Sequence, residues 1–409
     1  MEVCENRFSL ARLALNQNRS SAAILKVLFV CENLNSITIA RQPWKHVFEV
    51  AKRIQVLGNE ISIVSSGPFE STAEEILGVP VRRAKKRGLF FDVKSLSAAI
   101  KDENADVINW HCSDVWSSFN LWRLRNKIDS RIVWTLHSGI LSIDDLSNLE
   151  PLDYLQLYKF WNNIFNAAIP KTIIKKWLNT PALVHIVALS NRTARRLNGF
   201  GVPEEMVTCI PSGVDVDVFR SLNTAEDRSR ILYFGPLNRL RGTDTLLSAY
   251  EHVKQEVPSA RLTLLARQSR HNKFWERRIS RLEGVDLVTG ILGQREIVEK
   301  LDSASMVVLP FRFWPQVDCP STVLEAMSMR KPTISTSIGA IPEIISNGET
   351  GFLVSAKDPM QLAESIIGLL TNKLLSERIG RNARARVEHF HDWNIITKRT
   401  LEVLSNASD

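Results

Sequence analysis

A chain of 409 residues is long enough for two domains of ordinary size, and 44% hydrophobic with 23% charged residues is typical of globular proteins. No apolar run approaches the roughly 18–20 residues that a membrane span needs, and residues 1–25 lack the pattern of a secretory signal. The net charge of +8 favours anionic partners such as nucleotides or an acidic membrane surface. No nucleic-acid-binding motif is present, so nucleic acid is not an expected partner.

The five cysteines are scattered and have no metal-ligand spacing. We therefore expect reduced thiols, a cytoplasmic protein and no metal site. No pair of carboxylates suggests a metal either, so a metal-independent reaction without a cofactor is expected.

Strand and helix signals alternate in the first half of the chain. Residues 1–24 are expected to form an extension ahead of a β-rich run at 26–31, which is followed by a helical pattern over 44–57 and a strand at 60–65. Further strands are predicted at residues 107–110, 132–136, 184–189 and 207–210. Such alternation predicts a parallel sheet that is covered by helices on both faces.

The polar stretch at 217–230 predicts a linker between a first domain, 25–216, and a second, 217–391. The second domain repeats the alternation, with strands predicted at 231–234, 262–266, 285–289, 306–309 and 333–335. Asp358 and Pro359 form a good helix start. The final helix, about 392–409, has no partner that the sequence identifies locally, and we consider that it packs back on the first domain.

Two segments stand apart from this plan. The basic residues from Arg82 to Arg87 indicate either a solvated surface or a contact with an anionic partner. Residues 151–180 combine aromatic side chains with Lys171, Lys175 and Lys176. This combination fits a membrane interface or a lipid-like acceptor; the alternative is a pair of helices with the aromatic side chains in the core.

The turn from Gly235 to Gly242 joins a predicted strand to a predicted helix. Glycines allow the backbone to approach a ligand closely, and the amides and dipole at a helix start favour an anion. Arg241 adds a planar cation that can bind phosphate oxygens. The turn therefore predicts a phosphate-binding site, although a purely structural turn would have the same pattern.

A second predicted strand-to-helix junction begins at Pro320-Ser321-Thr322. Its first amides are expected at the carboxyl edge of the sheet, where open α/β folds bind ligands. Glu325 lies one turn into this helix, and its carboxylate could accept hydrogen bonds from two ribose hydroxyls. Alternatively, Glu325 only complements the helix dipole.

These motifs resemble the donor-binding half of the retaining GT-B glycosyltransferases of family 4. The shared features are the Gly-rich turn with an Arg, Leu324-Glu325-Ala326-Met327, Gly339-Ala340-Ile341-Pro342-Glu343 and Asn347-Gly348-Glu349-Thr350-Gly351. Looser similarity in the first half extends the resemblance over about residues 25–404. The resemblance implies an α/β protein with a GT-B fold, in which two Rossmann-like domains with parallel sheets face a central cleft.

The resemblance also implies roles for individual residues. Arg241 would neutralise the diphosphate of the donor, while Glu325 would hold its ribose. The full set of expected donor contacts is Gly235, Arg239, Arg241, Ser321, Thr322, Val323 and Glu325.

The expected catalytic residues are His137, Asp318 and Arg241. His137 stands at the family's usual histidine position in the first domain and would contact the donor sugar or acceptor; a histidine satisfied at a strand end is the alternative. The first Glu of the family's Glu-x7-Glu motif falls at Val317. Either of its neighbours, Gln316 or Asp318, could substitute for it, and Asp318 is taken as the catalytic candidate. A second departure is Pro236, where the family usually has a basic residue.

The sequence therefore predicts a retaining hexosyltransferase that uses a nucleotide-sugar donor and a glycan or lipid-linked acceptor. An anionic membrane surface is considered as a further partner, with a peripheral position on the inner membrane face. The alternatives are a non-catalytic GT-B paralogue that binds a nucleotide or a protein partner, which Val317 and Pro236 favour, and a sugar-nucleotide epimerase with the same fold.

Overall fold

The structure is a computed structural model of the chain. It describes residues 24–67, 71–87, 90–112, 117–140, 149–151, 153, 169–222, 227–266, 272–290, 293–313 and 318–409. The predicted extension at 1–23, most of the aromatic segment before residue 169 and Val317 lie outside the described residues.

The chain divides into two compact units. The first contains Met1–Ile143, Asn162–Pro211 and Trp393–Asp409, and the second contains Asp144–Trp161 and Ser212–Asp392. The final helix therefore belongs to the first unit, and the segment at 144–161 belongs to the second.

The first unit is built on a sheet that has nine strands among the described residues. They are β1 (Lys26–Cys31), β2 (Glu60–Gly67), β3 (Ser71–Ile76), β4 (Val79–Arg87), β5 (Phe90–Phe91), β6 (Val107–Cys112), β7 (Arg131–Leu136), β8 (Leu183–Ala188) and β9 (Val207–Cys209). The order is β3-β4-β2-β1-β6-β7-β8-β9, and β5 pairs with β4. Among the strands described, only β3 and β5 pair antiparallel, each with β4. Because the central strands are buried on both faces, they read as almost continuous apolar runs.

Helices cover both faces of this sheet. They are α1 (Trp44–Val56), α2 (Val93–Glu103), α3 (Ser117–Leu124), α4 (Lys171–Leu178), α5 (Asn191–Gly199) and α13 (Trp393–Ser408). One face packs α1 and α13 against the sheet, and Trp393 is fully buried there. The other face holds a second apolar core, in which Trp110 and Trp134 are buried.

The second unit is built on a six-stranded parallel sheet. Its strands are β10 (Asp227–Phe234), β11 (Arg261–Ala266), β12 (Val285–Thr289), β13 (Ala304–Leu309), β14 (Thr333–Thr336) and β15 (Phe352–Val354). The order is β12-β11-β10-β13-β14-β15. Strands β10 and β13 are therefore neighbours, so the loops that follow them share one edge of the sheet.

The helices of the second unit surround a single large apolar core. They are α6 (Thr243–Glu256), α7 (Asn272–Ile279), α8 (Gln294–Ser303), α9 (Ser321–Ser328), α10 (Ile341–Ile344), α11 (Pro359–Thr371) and α12 (Lys373–Phe390). Asp358 caps α11 as expected, because its side chain accepts a hydrogen bond from the Gln361 amide.

Every strand predicted from the sequence is present, with ends that shift by a few residues. Two expectations need correction. The polar stretch at 217–230 is not all linker, because β10 already begins at Asp227. The basic residues after Arg82 lie in β4, a strand that the sequence did not predict.

Candidate functional site

The turn after β10 is shaped by hydrogen bonds from its own side chains. Gly235 has a φ of 142°, and Asn238 then begins a short 3-10 turn over Arg239–Arg241. The Asn238 side-chain oxygen accepts from the Arg241 amide at 2.8 Å, and the Thr243 hydroxyl accepts from the Asn238 amide at 3.0 Å. These bonds fix the direction in which the turn enters α6.

Gly242 closes the turn and requires a residue without a side chain. Its φ is +73°, and a Cβ there would lie 1.7 Å from the carbonyl oxygen of Pro310. Pro310 directly follows β13. The turn after β10 therefore packs directly against the backbone that follows β13, at the carboxyl edge of the sheet.

Arg241 is half-buried beside this turn. Its guanidinium carbon lies 4.9 Å from the centroid of the Phe311 ring, and one of its terminal nitrogens would lie 3.4 Å from a Cβ on Gly235. Burial lowers the pKa of Arg241 to about 10, so the side chain stays cationic at neutral pH. A positive charge is thus held next to the glycine turn.

Arg239 has different partners. Its nitrogens lie 3.1 Å from Asp153, 2.6 Å from Glu150 and 3.0 Å from Asp244. Arg312 joins the same cluster through Asp244 at 2.6 Å. Arg239 was predicted to contact the donor, but in the structure it forms ion pairs with three carboxylates. Two of them, Glu150 and Asp153, lie far earlier in the chain.

Helix α9 begins at Ser321 after Pro320, and no side chain caps its start. The Thr322 hydroxyl is buried and has no hydrogen-bond partner among the described residues. Val323 differs from the prediction, because its amide donates to the Pro320 carbonyl at 3.1 Å and its side chain is in the core. The start of α9 therefore presents Ser321 and Thr322.

Glu325 and Asp318 flank this helix start. Glu325 is half-buried one turn into α9, and i to i+4 spacing places it on the same face as Ser321. Asp318 is buried just before the helix. The structure thus brings Gly235 and Arg241 together in one turn, while Ser321, Thr322 and Glu325 share one helix that follows the neighbouring strand.

The Asn-Gly-x-x-Gly motif has a structural role. Asn347 and Gly351 form a β-bridge, and the Asn347 side chain accepts from the Leu353 amide at 2.9 Å. A Cβ on Gly351 would lie 2.6 Å from the carbonyl oxygen of Thr333. The motif therefore sets the approach of β15 to β14.

His137 lies in the first unit, at the carboxyl end of β7, and its side chain is fully buried. Its Nε2 is 2.9 Å from Nδ1 of His111, and the ring centroid of His46 is 4.8 Å away. Burial lowers the pKa of all three histidines, to about 3 for His46, so the rings are neutral at pH 7. A ligand could reach His137 only after a rearrangement of its neighbours.

Sequence reasoning missed His46 and His111. Both lie among apolar residues, in a helix and a strand, so they read as core positions. No group of three or more His, Cys, Asp or Glu in the described part of the chain is arranged to hold a metal ion. None of the helices described is both long and apolar enough to cross a membrane.

Two family models match the chain. Residues 228–372 match the model described as glycosyl transferases group 1, and residues 44–218 match the model described as glycosyltransferase family 4. Glycogen synthase of Mycobacterium tuberculosis is 25% identical over 235 residues. This match covers 56% of this chain and 56% of the glycogen synthase, so it spans just over half the length of that relative. An uncharacterised glycosyltransferase of Methanocaldococcus jannaschii is 25% identical over 86% of this chain and 91% of its own.

Solved structures share the architecture of nearly the whole chain. A glycosyltransferase from Rickettsia africae superposes with a TM-score of 0.72 at 19% identity, covering 94% of this chain and 99% of its own. HepE of Anabaena in complex with UDP-glucose superposes with a TM-score of 0.69 at 16% identity, and the match covers 93% of this chain and 100% of HepE. The chain therefore has the GT-B fold, and its two halves match glycosyltransferase family models.

Proposed function

We propose that the protein transfers a hexose from a nucleotide diphosphate sugar to a glycan or lipid-linked acceptor with retention of anomeric configuration. The observation that carries this proposal is the position of Arg241 beside the Gly235 turn, with its guanidinium on the Phe311 ring. This cation lies at the carboxyl edge of the sheet, in the unit that matches the group 1 model.

The chemistry of the donor fits this arrangement. When the bond to the sugar breaks, negative charge builds on the diphosphate that leaves. A fixed cation and helix-start amides aimed at that charge lower the barrier, because they need no reorganisation during the reaction. Arg241 with the start of α9 at Ser321 can supply both, and Glu325 can accept hydrogen bonds from the ribose.

Retention follows if the acceptor attacks from the face that the diphosphate leaves. In that case no carboxylate nucleophile is required from the protein, and we propose that no metal takes part. Asp318 and His137 are proposed to act on the sugar or the acceptor. For His137 this requires opening of the buried histidine cluster.

The printed names of similar proteins support the substrate class. Relatives at 25–27% identity include glycogen synthase and D-inositol 3-phosphate glycosyltransferases. HepE, which has the same fold, has been solved with UDP and with UDP-glucose. The names support glycosyl transfer, and the HepE complexes support our proposal that the Arg241 site binds a nucleotide-sugar donor.

A nucleotide-release experiment tests the proposal. The protein is incubated with UDP-, GDP- and ADP-sugars and a panel of glycan and lipid-linked acceptors, and free nucleoside diphosphate is measured. We expect acceptor-dependent release with one donor, and a product whose NMR coupling constant shows the anomeric configuration of the donor. A donor that binds without turnover across the whole panel would favour the non-catalytic alternative.

A further inference from the structure

A cleft lies in the first unit, at the carboxyl ends of β1, β2 and β4. Its volume is about 450 Å³, enough for a molecule of one or two sugar rings. The lining residues are Asn33, Leu34, Asn35, Ser66, Gly67, Arg83 and Lys86. The carboxyl edge of a parallel sheet is where α/β folds bind ligands, so the position of this cleft suits a substrate.

Two cations from β4 enter this cleft. Arg83 donates to the Leu34 carbonyl and pairs with Glu74, while the Lys86 ammonium lies 2.7 Å from a carboxylate oxygen of Glu32. The side chains of Glu74 and Glu32 are 47% and 30% exposed. The cations are less exposed than their partners, at 14% for Arg83 and 22% for Lys86. Glu74 and Glu32 can therefore turn toward water when an anion with two negative charges takes their place, and neither cation is left as an unpaired buried charge.

Apart from Leu34 and Gly67, the rest of the lining is polar and is held in place by hydrogen bonds. Asn33 has a φ of +56°; its amide donates to the Ser66 hydroxyl at 2.9 Å, and its side-chain oxygen accepts from the same hydroxyl at 3.3 Å. The Asn35 side-chain oxygen accepts from the amides of Ile37 and Thr38. Both asparagines thus use their oxygens internally, and the Asn35 NH2 group also donates to the Asn33 carbonyl at 3.4 Å. The Asn33 NH2 group and the second hydrogen of the Asn35 NH2 group are donors suited to hydroxyl or phosphate oxygens.

We propose that this cleft binds the acceptor of the transfer and that the acceptor carries a phosphate beside its hydroxyl groups. Arg83 and Lys86 bind the phosphate, and the asparagines bind hydroxyls. The acceptor role rests on the proposed function, whereas the ability to bind a sugar phosphate or polyol phosphate does not. The phosphate belongs either to a small soluble molecule or to a lipid headgroup.

Calorimetric titration with glucose 6-phosphate and with glucose tests the soluble source. We expect glucose 6-phosphate to bind at least about tenfold more tightly than glucose, because a hydrogen bond to a charged group contributes about 1.5–3 kcal/mol. Lys86→Gln and Arg83→Gln should each remove most of this preference. The control is Lys85→Gln, which makes the same change of charge at an exposed position outside the cleft.

Vesicles that contain phosphatidylglycerol test the lipid source. If only the vesicles bind, and Lys86→Gln weakens binding while Lys85→Gln does not, the phosphate belongs to a lipid and the proposal holds. The proposal is overturned if neither probe binds, or if Lys85→Gln weakens binding as much as Lys86→Gln. A parallel titration with UDP separates this proposal from the proposed donor site. If UDP binds but neither probe does, only the proposal about the cleft is wrong. If a probe binds but UDP does not, only the proposed donor site is wrong.

Discussion

At the residue scale, the proposed donor site depends on Arg241 and Glu325. We expect Arg241→Ala and Glu325→Ala each to weaken UDP binding by about 1.5–3 kcal/mol, because in the proposed site each residue forms a charged hydrogen bond with the nucleotide. Titration calorimetry measures the change. Arg295→Ala is the control, since it removes an arginine that is 93% exposed on α8. If the affinity for UDP is unchanged in both Arg241→Ala and Glu325→Ala, the assignment of these residues to the donor site is wrong.

Gly242 allows a sharper structural test. Gly242→Ala should destabilise the second unit by about 3–5 kcal/mol, because it adds about 1–2 kcal/mol of left-handed strain to a steric overlap with the Pro310 carbonyl. Gly348→Ala, at a φ of +77° with no atom within 4 Å of the added Cβ, should cost only the strain. Urea unfolding of both variants gives the difference. Equal losses would mean that the overlap is relieved without cost.

The sequence predicted these site residues to different degrees. Arg241 and the start of α9 could be predicted because glycines and a helix start leave a local pattern. The partners of Arg239 could not, since Glu150 and Asp153 are more than 80 positions away in the chain. The contact of His137 with His46 and His111 likewise depends on strand order and helix packing.

At the element scale, α3 and α4 form an aromatic and basic surface. The Trp177 ring packs on Phe119 with centroids 5.2 Å apart, and Arg125 lies 4.2 Å above the Trp122 ring. Lys171, Lys175 and Lys176 are exposed on α4. Residues 162–203 contain six basic residues and no Asp or Glu. This excess of positive charge supports our proposal that α4 contacts an anionic membrane.

Replacing Lys171, Lys175 and Lys176 together by Gln should therefore reduce binding to anionic liposomes at least tenfold, since each lysine near such a surface contributes about 1 kcal/mol. Sedimentation of the protein with phosphatidylglycerol vesicles measures the loss. The matched variant replaces Lys273, Lys373 and Lys398, three exposed lysines elsewhere, and makes the same change in net charge from +8 to +5. Equal sedimentation of the two variants would rule out a specific role for α4.

Helix α1 and strands β6 and β7 meet at the histidine cluster, which makes stability depend on pH. The folded-state pKa of each buried histidine lies below the unfolded value of about 6.5, so the unfolded chain binds protons that the folded chain does not. The contribution of the neutral histidines to the free energy of unfolding is fully present above pH 6.5. This free energy falls as the pH drops, with a slope that approaches about 1.4 kcal/mol per pH unit for each histidine.

His46→Phe should reduce this slope by about 1.4 kcal/mol per pH unit, which corresponds to one proton. The variant keeps a ring at this position, but the ring cannot be protonated. The measurement is the free energy of unfolding between pH 7.5 and pH 5. Replacing the exposed His389 by Gln serves as the control for the loss of a histidine at the surface. The same slope in His46→Phe and in the parent protein would show that this histidine is already protonated in the folded state.

Strand β4 shows why some elements escaped prediction. Its sequence, from Val79 to Arg87, contains five cations, which obscure the alternation of Val79 and Val81 with exposed positions. Such charges are common on strands near a sheet edge, where they discourage pairing with other chains. The residues from Arg82 to Arg87 were therefore predicted either as a solvated surface or as a contact with an anionic partner, and the sequence did not show that Arg83 and Lys86 line a cleft.

At the scale of the whole molecule, the α/β class followed from strands alternating with helices, and the GT-B fold from the resemblance of the motifs. Strand order was not readable, because the sequence does not show which strands are neighbours. The segment at 144–161, which clusters with the second unit, could not be anticipated either. Its Asp153 and Glu150 contribute to the second unit through ion pairs that only the folded chain forms.

The central claim is that the second unit binds a nucleoside diphosphate at the Gly235 turn and the start of α9. A crystal structure of the protein with UDP tests it most directly. We predict phosphate oxygens within hydrogen-bonding distance of the Arg241 guanidinium and of the amides at Ser321 and Thr322, with the ribose hydroxyls on Glu325. Phosphates bound at another position, with Arg241 and Glu325 away from the nucleotide, would contradict the claim.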